Sequence, residues 1–552
     1  MIIVGITHPI CWNPAACLIK DGELLAFAEE ERFTREKHAP HRIPIKALEF
    51  CIKESKVKKE EIKIVAIGFQ VFEDLGEEYY GPWFEDPIKG AEIFKEHQEE
   101  LDRYLISNNF PKVKYYPHHL CHAVSATLFA PFSETNIITL DGWGGDCSGL
   151  FGFSKNSYIE PYGTINNDAS WGGLYRDVTS ALGFRAHSGE GKTMGLACYG
   201  EPDEELFPRF FDDTEGKNHP SLMLPSLRTY EPLIKRWSKT EERWKRIKKA
   251  PTSKDGRNLA ATLQNYYEQS LVRIAKHCHD LSGCKNFALA GGVALNCSAN
   301  GKLAQQEFVE NMFVQPASHD AGSALGAAIL AYEEEKGEWP KSKPYTPYLG
   351  PKTKEEEIYR QLVMSNLPFQ RVDPALTLAE LIHKDCVVGW FQGRAETGPR
   401  ALGNRSIFAN ATKRENLKRV NLIKERESWR PLAPAIAEED FRDIVESEIY
   451  SPYMLMAFQV KENWKEKIPA VVHVDGSCRP QSVSETQNEM LHTGLKRYEK
   501  LSGVPVFLNT SFNLKHEPIV NSPKDAISTF LNSDMNALII GDFLVAKELF
   551  LG

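Results

Sequence analysis

Apolar and polar positions change their spacing several times along this chain, and each change marks an element. The opening "MIIVGITH" is an unbroken apolar run of the kind that forms a strand buried on both faces. "AACLIKDGELLAFAEEER" reads as two more strands joined by a tight turn at Asp21-Gly22. "IPIKALEFCIKESKV" carries helical spacing, and "EIKIVAIGF" returns to strand. The alternation recurs at "NIITLDGWGGDCSGLFGFSK", at the long amphipathic helix "NLAATLQNYYEQSLVRIAKHCHDLSG", and at "NFALAGGVALN", "MFVQPAS" and "AGSALGAAILAYEEE". Two lobes of hairpin and helix facing a cleft fit this order. Residues 336–357, "KGEWPKSKPYTPYLGPKTKEEE", have turn residues and charge without an apolar period, so a domain boundary is expected there. A second α/β unit then starts at "CVVGWFQGRAETGPRALGNRS". It closes with the strand "VPVFLNTSF", the helix "SPKDAISTFLNS" and a final strand "ALIIGDFLVAK". No repeat of solenoid length is visible.

Composition narrows the class. A chain of 552 residues exceeds one ordinary core and suggests about two to four domains. The formal charge of -9 gives no footprint for gripping a phosphate backbone, so nucleic acid is not expected as the main partner. The N-terminus lacks a basic flank and long apolar stretch, and no run spans a bilayer, which points to a cytoplasmic protein with no membrane partner. The 11 cysteines contain no Cys-x-x-Cys pair and argue against a disulfide framework or zinc ribbon.

Three constellations carry chemistry. In "HHLCHA", His118 and His122 are four apart and would share one helix face, a spacing open to a metal or to ordinary packing; His119 would point elsewhere. Asp141 follows the strand "IITL", at the edge where α/β folds expose functional side chains, although a turn aspartate reads the same way. Asp320 precedes a helix and could simply cap it. Two imidazoles and two carboxylates form a mixed donor set suited to iron, manganese or zinc. The glycine-rich "GEGKTMGLACYG" and "ALAGGVALNCSANGKL" could let backbone amides approach phosphate, though neither is a Walker loop nor a Gly-x-Gly-x-x-Gly fingerprint. In the C-terminal part Arg394, Arg400, Arg405, Lys424, Arg430 and Arg479 would form an anion pocket if they converge, and a solvated surface if they do not. "LNTSFN" adds Ser511, Asn509 and Asn513 after a strand.

Together "DGELLAFAEEERFTREKH", "HHLCHA", "LDGWGGD", "GKTMGLA", "AGGVALN", "GRAETGPRALGNRS", "WRPLAP", "RPQSV" and "LNTSFN" resemble, in order and over nearly the whole chain, the O-carbamoyltransferase family of antibiotic and nodulation-factor biosynthesis. The resemblance implies an α/β protein: an actin-like, TsaD-like ATPase domain over residues 1–350 and a YrdC-like domain over 351–552. In the second, carbamoyl phosphate and ATP would give carbamoyladenylate, which passes internally to the first for transfer to a hydroxyl of a small-molecule acceptor. It implies Fe(II) or another divalent metal on His118, His122, Asp141 and Asp320, with magnesium a candidate companion of the nucleotide. Carbamoyl phosphate and the activated carbamate would be held by Arg400, Lys424, Arg479 and Ser511. The nucleotide would lie by Lys192, Gly195, Gly291, Gly292 and Asn296, with Asn513 as a further polar contact.

One departure stands out. Many members carry His-Asp in the first loop, whereas this chain has Trp12-Asn13, neither of which is a base at neutral pH. His8, or Lys37 with His38, is expected to take over the role. The aromatic stretch 70–87 could line an acceptor cleft or simply pack in the core, and a homo-oligomer is left open. Rival readings are a threonylcarbamoyl-tRNA enzyme, disfavoured by the acidic balance, and a sugar kinase, which leaves the arginine cluster idle. A non-haem iron oxygenase would not need the glycine turns, and a decayed nucleotide-binding regulator would not need the full ligand set.

Overall fold

The computed structural model describes residues 1–71, 74–75, 87–203, 247–340 and 345–547. Two compact units divide the chain: Met1–Phe27 with Pro40–Tyr345, and Ala28–Ala39 with Thr346–Gly552. The aromatic stretch from residue 76 to 86, read above as part of an acceptor cleft, lies outside the described residues.

The first unit contains two five-stranded sheets of the same design. In one, β1 (Ile2–Ile6) runs antiparallel to β2 (Ala15–Lys20), and β3 (Glu23–Glu29) flanks β2. On its other side β1 lies parallel to β4 (Ile62–Ile67), which is parallel to β5 (Lys112–Tyr115). The second sheet repeats this. β6 (Glu134–Leu140) opens an antiparallel meander with β7 (Gly149–Lys155) and β8 (Tyr158–Ile165), and lies parallel to β9 (Asn286–Ala290), then β10 (Asn311–Val314). The strand orders β3-β2-β1-β4-β5 and β8-β7-β6-β9-β10 are one topology used twice, the duplicated architecture of the actin-like ATPase fold. The duplication lies in topology, at a period far longer than a solenoid repeat, which is why no short repeat appears in the sequence. The Asp21-Gly22 turn has φ of 51° and 83°, both left-handed, as a two-residue hairpin turn matching strand twist requires.

A helix of small residues holds the lobes' ligand-bearing ends together. Ala321–Lys336 has every residue from Ala321 to Tyr332 buried, and it packs on β1, β2, β4 and the His118–Thr127 helix. A Cβ on Gly326 would stand 1.9 Å from the Cys121 carbonyl oxygen, and one on Gly5 would stand 1.9 Å from that of Ala324. The run "AGSALGAA" is therefore the imprint of backbones in near contact on both sides.

The second unit is built on one mixed eight-stranded sheet, in keeping with the expected α/β unit. Its order is β11-β20-β19-β12-β13-β18-β14-β17, and a two-stranded ribbon β15-β16 stands beside it. The strands are β11 (Phe369–Arg371), β12 (Val388–Phe391), β13 (Arg405–Asn410), β14 (Ala433–Ala437), β15 (Phe458–Gln459), β16 (Ser477–Cys478), β17 (Gln481–Val483), β18 (Val506–Ser511), β19 (Ala537–Ile540) and β20 (Phe543–Ala546). "ALIIGDFLVAK", read as one closing strand, is instead the hairpin β19-β20. Gly541, at φ 53°, reverses the chain within it. The segment Ala28–Ala39 belongs here because its arginines satisfy this unit's carbonyls: Arg32 donates to Gly398, and Arg35 to Pro518 and Ile519. No helix among the described residues is long and apolar enough to cross a membrane.

Candidate active site

In the first unit four predicted residues meet. His118 and His122 start one helix, Asp141 follows β6, and Asp320 stands at the head of the Ala321–Lys336 helix. Their donor atoms all lie within 4.8 Å of one another. The two Nε2 atoms are 3.1 Å apart; Asp141 Oδ2 is 3.3 Å from His122 Nε2 and 3.8 Å from His118 Nε2, and Asp320 Oδ1 is 3.9 Å from His118 Nε2. His119 is outside the cluster, bonded through Nδ1 to Thr139 Oγ1 at 2.9 Å, and its ring lies where a Cβ on Gly144 would have to go.

The surroundings aim these donors inward. His118 Nδ1 meets the Gly68 carbonyl at 3.1 Å, so it carries the proton and leaves the Nε2 lone pair facing the cluster. Asp141 accepts the amides of Gly142 at 2.7 Å and Gly292 at 2.9 Å. Asp320 does not cap its helix with its side chain; Oδ2 instead accepts the Trp12 amide at 2.7 Å. Burial raises the Asp141 carboxyl, but its histidine partners outweigh that and hold it well below the usual range. Burial and the charge of Asp141 push Asp320 upward. Burial opposes charge on His118, yet both carboxylates turn the net shift upward, while burial and His118 lower His122.

These residues fit a divalent cation. Metal–ligand bonds of about 2.1 Å place neighbouring ligands about 3.0 Å apart in an octahedron and about 3.4 Å in a tetrahedron. The observed spacings begin in that range and run slightly wider. Two imidazole nitrogens facing each other beside two carboxylates is a donor set that a positive ion satisfies and a proton satisfies only in part.

The glycine turns serve mixed ends. Gly291, at φ 87°, brings β9's end so near β6 that a Cβ would stand 2.1 Å from the Leu140 oxygen, and this presents the Gly292 amide to Asp141. Gly195 lies inside the Glu190–Ala197 helix and not at a turn. Lys192, on the same helix, holds its Nζ 5.4 Å from the Phe184 ring centre. Asn296 caps the Cys297–Ala304 helix and exchanges amide bonds with Gln264 at 2.9 and 3.0 Å. Gln264 belongs to the Lys254–Ser282 helix, against which the Glu190–Ala197 helix packs.

His8 and Lys37 are not among the donors of the carboxylate cluster. His8 is sealed under Phe94, stacked at 4.8 Å, and Phe69; its Nδ1 accepts the Ile10 amide at 3.1 Å. Burial, with His97 nearby, lowers it to about 3. Its one lone pair is therefore spoken for. Lys37 belongs to the second unit, where burial lowers it and Arg430, Arg32 and Arg426 oppose its charge.

That unit gathers cations. Lys424 Nζ, fully buried, donates to Ser511 through its carbonyl and, at 3.2 Å, its Oγ, and to Asn513 at 2.9 and 3.1 Å. Burial, then Arg426, Lys37 and Arg430, depress it well below the usual lysine range. Burial followed by Arg430 and Arg479 does the same to Arg426. Arg479 Nε is buried with no hydrogen-bond partner among the described residues. Arg426 was not singled out in the sequence; its signal was the beat Lys424, Arg426, Arg430 just past a helix end. Arg405 and Arg394 do not join this pocket. Arg405 donates to the carbonyls of Gln392, Asn404, Pro351 and Gly393 and covers the Phe391 ring; Arg394 donates to Gly350 and Leu349. Arg400 sits half-buried in the loop between β12 and β13. Glu396 braces that loop, its Oε1 accepting the amides of Leu402, Asn404 and Arg405 at 2.7 to 3.0 Å. Asn509 is engaged elsewhere, on Gln481.

The chain thus carries an imidazole and carboxylate cluster in its duplicated unit and a buried group of cations in its mixed α/β unit. The carbamoyltransferase N-terminus profile matches residues 2–329 and the carbamoyltransferase C-terminus profile residues 379–547, so the chain belongs to the carbamoyltransferase family. The nodulation protein NolNO of Sinorhizobium fredii is 34% identical over 558 residues, 97% of this chain and 79% of that protein. Nodulation protein NolO of Bradyrhizobium diazoefficiens is 37% identical over 444 residues, 78% of this chain and 79% of its own. Among solved structures, full-length HypF in its phosphate- and nucleotide-bound form covers 61% of this chain and 56% of its own at 15% identity, with a TM-score of 0.37.

Proposed function

We propose that this carbamoyltransferase activates carbamoyl phosphate with ATP as carbamoyladenylate in the second unit and transfers the carbamoyl group to a small-molecule hydroxyl at the His118, His122, Asp141 and Asp320 cluster of the first. The observation that carries it is the convergence of buried Lys424 with Arg426, Arg430, Arg479 and Lys37: burial and the neighbouring charges of this set depress Lys424, Arg426 and Lys37, and burial and Arg479 depress Arg430. Cations so placed are stabilised by a bound dianion, and carbamoyl phosphate is a small dianion. Ser511 and Asn513 fix Lys424 as a point charge, and the unpartnered Arg479 Nε is a donor in want of an oxygen. Water takes the phosphoryl group of carbamoyl phosphate, releasing carbamate and inorganic phosphate; the carbamate oxygen then attacks the α-phosphorus of ATP, and pyrophosphate leaves.

In the first unit, Gly68, Gly142, Gly292 and Trp12 hold the four donors in place through their backbones. A divalent ion, iron(II) among the candidates, would supply positive charge to the carbonyl or phosphate oxygen as the tetrahedral centre forms. Lys192, Gly195 and Asn296 lie on helices packed around Lys254–Ser282, the side on which a nucleotide is proposed. The acceptor is proposed to be a small molecule, with neither nucleic acid nor membrane as partner. Incubating the metal-loaded protein with carbamoyl phosphate and ATP, without acceptor, should yield carbamoyladenylate and pyrophosphate; their absence removes the proposed chemistry. Arg479→Ala should suppress that half-reaction, and His118→Ala should mainly impair the later transfer.

A further inference from the structure

Trp12-Asn13 leaves the first loop without a base, and the structure places four rings around that point. The Trp12 indole stacks on His187 at 4.1 Å and 12° and meets His41 edge-on at 5.7 Å; His41 in turn stacks with His97 at 5.7 Å and 16°. The amide of the same Trp12 is the one bonded to Asp320 Oδ2, so the ring group adjoins the donor cluster through a single residue. Unlike His8, these rings are not sealed: Trp12, His97 and His187 are half-buried and His41 is exposed. His41 is held left-handed at φ 57°, with the Pro9 carbonyl facing its ring. A neutral imidazole keeps a lone pair on one of its two ring nitrogens.

We infer that His41 is the base that takes the proton of the acceptor hydroxyl in this chain, on a surface walled by Trp12 and His97. The inference rests on the proposed transfer reaction and adds to it the residue that the first loop lacks. As the proton moves to the imidazole, the alcohol oxygen forms its bond to the carbamoyl carbon. That carbon's bond to the adenylate oxygen breaks, and the electron pair leaves on the phosphate of AMP. The imidazolium then returns its proton to solvent. The groups facing His41 are Trp12 and the Pro9 carbonyl from the loop after β1, His97 from the Pro87–Ser107 helix, and the charge of Asp320 from the helix behind. Partial desolvation first and then His97 lower the imidazole, while Asp320 and the Pro9 carbonyl work the other way, a balance suited to a group that must accept a proton and release it.

The test compares the full-length protein with His41→Ala and His41→Asn, supplied with carbamoyl phosphate and ATP, with water and concentrated glycerol as probe nucleophiles. Pyrophosphate reports activation; ammonia above the solution rate and carbamoylated glycerol report transfer. Both variants should keep pyrophosphate release and lose transfer by about 100-fold, the low end for general base catalysis, and added imidazole should restore part of it in His41→Ala. Transfer that survives in His41→Ala, or full recovery in His41→Asn, which preserves an N–H donor without a basic nitrogen, overturns the role while activation stands. Wild-type protein that makes no pyrophosphate removes the proposed function, and this inference with it. Independently of any acceptor, diethyl pyrocarbonate near neutral pH should modify His41 and spare His8, read by peptide mass spectrometry; an unreactive His41 has no open lone pair and refutes the assignment.

Discussion

Gly326→Ala should damage the donor cluster from a distance. A helical glycine changed to alanine ordinarily gains up to about 1 kcal/mol of helix propensity. At Gly326 the new methyl would sit 1.9 Å from the Cys121 carbonyl oxygen, about 1.5 Å short of ordinary van der Waals contact. Both atoms in conflict are fixed to helix backbone, so no side chain can swing aside. The Ala321–Lys336 helix, which begins just after Asp320, must move off the helix that begins at His118. Overpacking of this kind destabilises by about 1–3 kcal/mol, and at about 2–4 °C for each kcal/mol the melting of the first unit should fall by roughly 5 °C. The separation of Asp320 from His118 and His122 would also exceed the tolerance of about 0.2 Å that metal ligands allow. Gly191 supplies the control, since it too is helical but a Cβ there meets nothing within 4 Å. Thermal unfolding and metal content after dialysis should therefore separate the two variants: Gly191→Ala unchanged or slightly stabilised with full metal retention, Gly326→Ala less stable and metal-depleted. If both melt alike and hold equal metal, close helix approach does not build this site.

Two other consequences follow from buried groups. Glu396→Ala would strand three amides that share one carboxylate oxygen, for a loss of at least about 3 kcal/mol in urea unfolding, whereas Glu396→Gln, which retains an acceptor, should recover much of it; equal losses would deny that hydrogen bonding braces the loop. His8, lowered to about 3 by burial and His97, stays neutral in the fold while the unfolded chain takes up a proton below about 6.5. Its contribution is thus fully present above that pH and declines as pH falls towards 3, by up to about 5 kcal/mol; His8→Gln should flatten that part of the stability curve, and parallel curves would place the acid sensitivity elsewhere.

What could be read in advance follows the range of the interaction that fixes each feature. Strand and helix periodicity is local, and so is the two-residue turn at Asp21-Gly22; both were legible. The β19-β20 hairpin was missed because its turn, Gly541-Asp542, interrupts an apolar run by only two residues. His118 and His122 follow from spacing along one helix, but Asp320 required knowing that its carboxylate turns to Trp12 and not to its own helix. Arg405 shows the limit of composition. It is an arginine in a glycine-punctuated, arginine-rich segment like its neighbours, yet four backbone carbonyls and an aromatic face consume its charge inside the core.

Lys37 and His41 show the same limit more sharply, being four residues apart in sequence. The chain between them leaves one compact unit for the other at Ala39, so one cation faces Arg426 and Arg430 while the imidazole faces Trp12 and His97. No local pattern announces that crossing. What holds it is the set of carbonyls that Arg32 and Arg35 satisfy from Gly398, Pro518 and Ile519, more than 360 residues downstream. Those two arginines help to hold Lys37 in the second unit, and hence add to the positive charge available to the anion proposed there. The motif around them therefore bears on the proposed chemistry even though, among the described residues, Arg32 and Arg35 themselves bind backbone and acids.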